Sequence, residues 1–383
     1  MGKHKRWCTT GYIAFFLSGI CAISSGIIVN ILQEKYGFSY EMTGTLLSVM
    51  SIGNMAASFA SGVLHGKIGM KKTVLMMSCG YFLGYVLMTL SGAAALLIGA
   101  FLMVGIAKGC ALNNCTVLVG NHSSDRTKGI SILHAVYACG ALLCPFVIAL
   151  MAKGGMDVPM YAVAAAGAVL WLVFFAAGLP GRESKAGGKK GNGEFAFLRQ
   201  RRFWMLTALI FCQNAAETSV TGWLVTYYKN QGILSGAFST YTVTVMWSAT
   251  LIARLLIAFV FPIKNTFKAL SLMGLGCTVL YGAMIFVQQP VLAVILLFAF
   301  AFSMAGVNPI AVAGVGKEMS AASMGVLLPI GGIGAIVMPW IIGKVADQIS
   351  LQTGMACNLA ACAGIMLISV ALYKTTVSGS VIE

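Results

Sequence analysis

The chain has 383 residues, of which 59% are hydrophobic and only 9% are charged, and its net charge is +15. Soluble domains carry about 25% charged residues, so this composition excludes an ordinary soluble protein and indicates an integral membrane protein. The positive charge lies mainly in short polar segments between apolar runs. That distribution favours a role in membrane orientation and argues against binding to nucleic acid.

Apolar segments follow one another along the whole chain, and a transmembrane helix needs about 20 such residues. We predict twelve spans, at residues 9–33, 42–64, 73–92, 95–119, 129–152, 159–179, 203–229, 239–261, 268–288, 291–315, 325–349 and 354–374. The even number places both ends of the chain on one side of the membrane. Pro309, Pro329 and Pro339 are expected to loosen spans ten and eleven.

The lysine and arginine residues predict which side of the membrane holds the termini. With a cytoplasmic N-terminus, 19 of the 25 basic residues fall on the cytoplasmic side and 4 on the outside. Cytoplasmic loops of membrane proteins are enriched in positive charge. We therefore predict a multi-pass protein of the inner (cytoplasmic) membrane, with the lipid bilayer as its surroundings and both termini in the cytoplasm.

The two halves of the chain resemble each other. A polar segment at residues 181–202 separates two sets of six spans. Three residue pairs repeat at an offset of 194 positions, namely Asn114 and Asn308, Gly140 and Gly334, and Pro145 and Pro339. Parallel repeats of this kind are typical of transporters, with the substrate site between them near mid-membrane. The predicted fold is an all-α membrane protein with two pseudo-symmetric six-helix bundles at 1–180 and 203–383, joined by a cytoplasmic linker with an interfacial part at 181–202.

The loop after span two carries a family motif. Residues 62–72 read GVLHGKIGMKK and resemble the cytoplasmic G-x-L-x-D-R-x-G-R-R/K signature of the major facilitator superfamily, although the aspartate is absent here. Segments 133–146, 217–228 and 246–256 are similar to its fucose/glucose-type proton symporter branch. The resemblance implies alternating access by a monomer, and a cytoplasmic gate that includes Gly62, His65, Gly69, Lys71 and Lys72.

Glu217 is the only acidic residue well inside a predicted span. A charge at the bilayer centre costs about 2.5–3.5 kcal/mol on insertion scales, so such a residue faces a cavity or a partner. Helical spacing places Gln213, Asn214 and Thr221 on the same face as Glu217. Relatives in the symporter branch carry the proton on a membrane-embedded carboxylate, and the resemblance assigns that role to Glu217. The alternative is a structural carboxylate in an ion pair or a helix cap.

Two basic residues also lie within spans. From the helical rise, Lys108 in span four lies roughly 15–18 Å, and Glu217 roughly 21 Å, from the cytoplasmic ends of their spans. Spans one, four, seven and ten line the cavity in this family, so we hypothesise that Lys108 and Glu217 pair across it and couple protonation to closure. Arg254 in span eight has three interpretations: an anchor for an anionic solute, a partner of Glu217, or a structural residue that bonds helix-end carbonyls.

Amides and aromatic rings supply the remaining candidates for solute binding, because sugar sites combine amide hydrogen bonds with an aromatic face. These candidates are Asn30, Asn54, Asn114, Gln213, Asn214, Thr221, Trp223, Tyr227, Trp247 and Asn308. Each of them also has an interpretation as a packing or interhelical contact.

Motifs of enzymes are missing from the sequence. It contains no Walker A, HExxH or GxSxG pattern, so we predict neither an enzyme nor a bound cofactor or metal. The leading hypothesis is a secondary transporter that imports a small polar solute together with a proton, with a sugar or polyol favoured. A transporter or facilitator of organic anions that uses Lys108 and Arg254 is the next hypothesis. A non-transporting membrane receptor or scaffold is the alternative from a different class.

Overall fold

The computed structural model describes residues 2–123, 126–179, 196–260, 263, 265–313 and 321–379, and these ranges are almost entirely helical, with no strand. The first six helices are α1 (Gly2–Tyr36), α2 (Tyr40–Ile68), α3 (Met70–Leu90), α4 (Ala94–His122), α5 (Arg126–Met151) and α6 (Val158–Ala176). The others are α7 (Arg201–Asn230), α8 (Gly236–Phe259), α9 (Thr266–Phe286), α10 (Pro290–Met304), α11 (Val307–Ala313), α12 (Ala321–Gly332), α13 (Gly334–Gln348) and α14 (Leu351–Gly379). Short 3₁₀ turns lie at Ala152–Gly154 and Ala196–Arg199.

Ten segments of the described residues are long and apolar enough to cross a membrane. That set includes neither α2 nor α7, although both helices exceed the length that a span requires. The apolar sequence of α7 is interrupted by Gln213, Asn214 and Glu217, which lowers its hydropathy. With α2 and α7 as further spans, the helices fit the predicted arrangement of twelve.

Predicted spans ten and eleven are each divided into two helices. The first interruption lies between Met304, where α10 ends, and Val307, where α11 begins. Pro309 explains it, because proline lacks an N–H and its ring collides with the carbonyl four residues earlier, which is that of Ala305. The second interruption lies at Ile333, between α12 and α13.

The chain forms two compact units. The N-terminal unit comprises Met1–Gly187 and Gly236–Thr244, and the C-terminal unit comprises Gly188–Ser235 and Val245–Glu383. The start of α8 therefore groups with the first six helices, where Thr244 Oγ1 donates to the Leu142 carbonyl at 3.1 Å. Sequence analysis had placed all of span eight in the second bundle. Most of the predicted linker lies outside the described residues, since these resume at residue 196.

The repeat predicted from residue spacing recurs as a repeated helix contact. In the N-terminal unit, a Cβ atom on Gly140 of α5 would lie 2.0 Å from the Phe16 carbonyl oxygen of α1. In the C-terminal unit, a Cβ atom on Gly334 of α13 would lie 2.1 Å from the Phe211 carbonyl oxygen of α7. Both distances are far below van der Waals contact, so glycine at these equivalent positions permits the two helices to touch backbone to backbone.

Candidate functional site

A polar stripe runs along one face of α7, as the sequence predicts. Gln213 Nε2 donates a hydrogen bond to Glu217 Oε2, one helical turn away. Thr221 Oγ1 donates to the Glu217 backbone carbonyl at 2.8 Å and also contacts Met246 Sδ of α8 at 3.8 Å. The Glu217 side chain is half-buried. The carboxylate thus sits in a polar strip on a helix that packs against α11, α12, α13 and α14.

Asn308 extends this stripe to α11. Its Nδ2 donates to Gln213 Oε1 at 3.0 Å, and Gln213 is only 1% exposed. The resulting sequence of donors runs from Asn308 to Gln213 to Glu217, and we call these three residues the amide–carboxylate chain. An ionised carboxylate only accepts hydrogen bonds, so the arrangement satisfies it. The structure therefore brings together two residues that sequence analysis had assigned separately to solute binding.

Arg254 is held at the interruption between α10 and α11. Its Nε donates to the Ala305 carbonyl oxygen at 3.3 Å. In an unbroken helix that carbonyl would accept the N–H of residue 309, but Pro309 has none. Arg254 and Glu217, both described residues of this unit, form no ion pair within 4.0 Å. This geometry matches the third interpretation of Arg254, a structural residue at a helix-end carbonyl.

The two aromatic candidates on α7 belong to the packed interior of the C-terminal unit. Trp223 and Tyr227 are both 0% exposed. Trp223 Nε1 donates to the Pro339 carbonyl at 3.2 Å, and the Tyr227 hydroxyl donates to the Ile285 carbonyl at 2.6 Å. Neither ring offers a free face, so we assign both residues to helix packing, which was their alternative interpretation, and not to a solute site. Trp247 of α8 is also buried, at 6% exposure.

The N-terminal unit holds a second group of amides between α2 and α4. Asn114 is 1% exposed, and its Nδ2 donates to the Cys110 carbonyl at 2.7 Å and lies 3.4 Å from Ser61 Oγ. The side-chain carbonyl oxygens of Asn114 and Asn54 are buried and accept no hydrogen bond from any described residue. Asn114 and Asn308 are equivalent in the repeat, yet the former donates to its own helix and to Ser61 of α2, whereas the latter donates to Gln213 of α7. Buried acceptors of this kind require a donor, which water or a ligand supplies.

Two other predicted residues belong to helices of the N-terminal unit. Asn30 is buried in α1, and Lys108 is half-buried in α4. Lys108 and Glu217 belong to different units, and their pairing stays a prediction.

In the family motif, Gly69 has a φ of 83°, a left-handed conformation that glycine adopts readily, and it separates α2 from α3. Lys71 Nζ lies 5.3 Å from the centre of the Phe175 ring, and the Lys72 side chain is exposed. Gly62 and His65 lie in α2, but their side-chain surroundings fall outside the described part of the structure.

Sequence analysis missed one buried amide beside the carboxylate. Asn358 of α14 is 0% exposed, and its Nδ2 donates to the carbonyl of Ala216, the residue before Glu217. It therefore fixes α7 against α14 next to the carboxylate. The signal was present in the sequence, because Asn358 stands alone among apolar residues in predicted span twelve.

Comparison with known proteins agrees with this architecture. A family model described as Major Facilitator Superfamily matches residues 11–339. The protein named Bypass of stop codon protein 6 from Saccharomyces cerevisiae is 20% identical over 384 residues, which cover 89% of this chain and 77% of that protein. The glucose/mannose transporter GlcP of Bacillus subtilis is 24% identical over 327 residues, covering 79% and 77%. The probable sulfoacetate transporter SauU of Cupriavidus necator is 22% identical over 237 residues, covering 57% and 55%.

Solved structures show the same fold. The crystal structure of a variant of the nucleoside transporter NupG superposes with a TM-score of 0.81 at 15% sequence identity, and covers 96% of this chain and 100% of that chain. The matched family model spans most of the sequence, including the motif at 62–72, most of the first predicted bundle and residues 203–339 of the second. The chain is a multi-pass membrane protein that belongs to the Major Facilitator Superfamily.

Proposed function

We propose that the protein moves a small polar solute across the cytoplasmic membrane by alternating access, that a proton is coupled to this movement, and that Glu217 carries the proton. The observation that supports this proposal most directly is the amide–carboxylate chain, in which a half-buried carboxylate on an apolar helix is held by Gln213. Membership of a transporter superfamily agrees with the absence of enzyme motifs in the sequence.

Glu217 suits a proton carrier for two physical reasons. It is the only acidic residue well inside a predicted span, so no second carboxylate competes for the role. Moving an ionised carboxylate through a low-dielectric interior is costly, whereas the protonated form is neutral. Lys108 remains the proposed cation, which takes the place of the proton when Glu217 is ionised.

A sugar or polyol is the solute class that the contacts favour. The Asn54 and Asn114 side-chain oxygens are buried acceptors without a donor among the described residues. In a conformation that opens them to the solute, its hydroxyl groups would supply those donors. Arg254, the candidate anchor for an anion, already donates its Nε–H to a helix carbonyl. The relative GlcP is named as a glucose/mannose transporter. Asn30, Asn214, Thr221 and Trp247 remain proposed contributors to the same solute site.

A small organic anion is the second candidate solute. Lys108 supplies a positive charge in the N-terminal unit, and the relative SauU is named as a probable sulfoacetate transporter. In that case the protein works as a transporter or facilitator that uses Lys108 and the two terminal nitrogens of the Arg254 guanidinium. A membrane receptor or scaffold that transports nothing is the proposal from a different class. We further propose that the protein acts as a monomer with both termini in the cytoplasm, and that the 62–72 motif forms its cytoplasmic gate.

Uptake by proteoliposomes with an imposed pH gradient tests the function. Purified protein is reconstituted, and uptake of labelled glucose, mannose, a polyol and a small sulfonate is compared with and without the gradient. A gradient of one pH unit stores about 1.4 kcal/mol per proton, which is enough for about tenfold accumulation of a neutral solute moved with one proton. The expected result is accumulation of a neutral solute by the wild type and simple equilibration by Glu217→Gln.

The matched control is Glu41→Gln, the same change at an exposed carboxylate near the start of α2, which is expected to accumulate solute like the wild type. Accumulation by Glu217→Gln that equals the wild type would show that Glu217 does not carry the proton. Accumulation of the sulfonate alone would favour the anion transporter. No uptake of any tested solute by well-folded protein would favour the receptor or scaffold.

A further inference from the structure

Gln213 was a candidate for solute binding, but its contacts fit a different role. Both ends of its amide are occupied within the C-terminal unit, with Oε1 accepting from Asn308 and Nε2 donating to Glu217. At 1% exposure it has no surface to offer a solute. Its two hydrogen bonds therefore join the Glu217 carboxylate on one side to Asn308 of α11 on the other.

The orientation of the amide is determined by its neighbours. Asn308 presents an NH₂ group, so the Gln213 oxygen faces it and the Gln213 NH₂ group faces Glu217. A rotated amide would set NH₂ against NH₂ at one end and oxygen against a carboxylate at the other. The chain is therefore directional, and its last acceptor is best satisfied when Glu217 is ionised.

Protonation of Glu217 weakens the last link of this chain, the hydrogen bond from Gln213 to Glu217. Hydrogen bonds to an ionised acceptor are roughly twice as strong as bonds between neutral groups. The new hydroxyl also needs an acceptor, and Gln213 offers it only if the amide turns away from Asn308. Loss of the charge on Glu217 thus reduces the force that keeps the Gln213 oxygen pointed at Asn308.

Asn308 stands where the backbone lacks a helical hydrogen bond. It is the second residue of α11, directly after the interruption that follows Met304. Pro309, the next residue, removes the backbone bond that would tie α11 to Ala305. Arg254 of α8 holds the Ala305 carbonyl instead. Among the described residues, the Asn308 side chain supplies the side-chain hydrogen bond that joins α11 to α7.

Few other ionisable groups bear on this tie. On the helices that pack against α7, the charged residues with described side chains are Lys344 and Asp347 near the end of α13 and Lys374 near the end of α14. Arg254 lies on α8, which contacts α7 through Met246 and Thr221. Lys344 stacks on the Trp340 ring, 5.0 Å from its centre. Among these described residues, none of the three basic ones (Lys344, Lys374 and Arg254) forms an ion pair with Glu217.

We propose that Gln213 is a positioning residue whose hydrogen bonds respond to the charge of Glu217. When the carboxylate is ionised, Gln213 holds α11 against α7 through Asn308, and when the carboxylate is protonated, α11 is released. The inference rests on the proposed role of Glu217 as proton carrier. The chain at the interruption between α10 and α11 therefore moves when Glu217 gains or loses its proton. Gln213 itself neither binds the solute nor carries the proton.

Hydrogen–deuterium exchange of the full-length protein in nanodiscs tests this proposal. Peptides covering residues 303–313 are followed at one neutral pH in the wild type, Glu217→Gln, Gln213→Met and the double variant. Glu217→Gln imitates the protonated carboxylate with almost the same shape, and a single pH avoids correction for intrinsic exchange rates. Thr221→Val is the matched control, because Thr221 touches the Glu217 backbone carbonyl and not its carboxylate.

The expected result is about fivefold faster exchange in α11 for Glu217→Gln, the factor that corresponds to about 1 kcal/mol. Gln213→Met is expected to reach at least this rate, the double variant to match Gln213→Met, and Thr221→Val to match the wild type. Equality of the double variant and Gln213→Met shows that both residues act through one link. If Gln213→Met fails to fold, Asn308→Leu breaks the same chain at its less buried end.

Unchanged exchange in Glu217→Gln, or additive effects in the double variant, would overturn the proposal. These outcomes are separate from the test of function. Loss of proton-driven accumulation in Glu217→Gln together with unchanged exchange in α11 refutes only the role of Gln213. Proton-driven accumulation that survives in Glu217→Gln refutes the role of Glu217, whatever the exchange rates are.

Discussion

The contacts of Arg254 distinguish between its three interpretations. Its hydrogen bond to the Ala305 carbonyl can be tested by substitution. Arg254→Met removes the only side-chain donor that the structure shows for this carbonyl among the described residues. Ala305 is 5% exposed, so water does not readily replace the lost hydrogen bond. A buried polar group left without its partner costs about 1–3 kcal/mol. We expect Arg254→Met to be destabilised by this amount.

The same geometry predicts a rescue. Pro309→Ala restores an N–H at the position that normally bonds the carbonyl of Ala305. In the Arg254→Met background this N–H replaces the guanidinium as donor, so the double variant should be about as stable as Pro309→Ala alone. The coupling energy between Arg254→Met and Pro309→Ala should therefore equal most of the about 1–3 kcal/mol that an unsatisfied buried group costs.

Thermal unfolding of the four purified proteins measures this coupling. For domains of 150–250 residues, 1 kcal/mol shifts the melting temperature by about 2–4 °C, so Arg254→Met should melt at least about 2 °C below the wild type. Arg201→Met, which changes an exposed arginine at the start of α7, is the control and should shift it little. A double variant that is as unstable as Arg254→Met alone would refute the reasoning. Arg254 would then act on something other than the carbonyl, such as an anion or Glu217.

Two further substitutions test packing. Gly334→Ala places a Cβ atom 2.1 Å from a carbonyl oxygen of α7, and should cost about 1–3 kcal/mol, whereas Gly99→Ala, with nothing within 4 Å, should leave the melting temperature unchanged or raise it. Equal melting temperatures for these two variants would contradict the close contact. Tyr227→Phe removes a buried 2.6 Å hydrogen bond and should lower stability by about 1 kcal/mol without changing solute affinity in a binding titration. A lower solute affinity in a Tyr227→Phe variant of unchanged stability would show that Tyr227 contributes to the solute site.

Local patterns in the sequence were sufficient for much of the fold. Apolar runs of the right length predict the helices, since a bilayer leaves no other way to satisfy the backbone. Helical spacing alone placed Gln213, Glu217 and Thr221 on one face, and the structure confirms their contacts. The interruption of span ten was also predictable, because proline removes a specific backbone bond wherever it occurs in a helix.

Contacts between distant segments were not predictable in this way. Tyr227 and Trp223 were candidates for the aromatic face of a sugar site, but they donate hydrogen bonds to carbonyls of α9 and α13. The number of residues between two segments does not determine which side-chain atoms meet. The start of α8, which groups with the first six helices, shows the same limit at the scale of a whole bundle.

Composition and local spacing indicate that the chain crosses the membrane many times, predict that its halves are repeats and place one carboxylate within a predicted span. These properties can be read from single helices. The contacts of Glu217, Asn308 and Arg254 come from the folded structure. Asn114 and Asn308 occupy equivalent positions, yet one amide donates to its own helix and to Ser61 of α2, whereas the other donates to Gln213 of α7. A hydrogen bond depends on where a second helix places its partner, and packing alone determines that place.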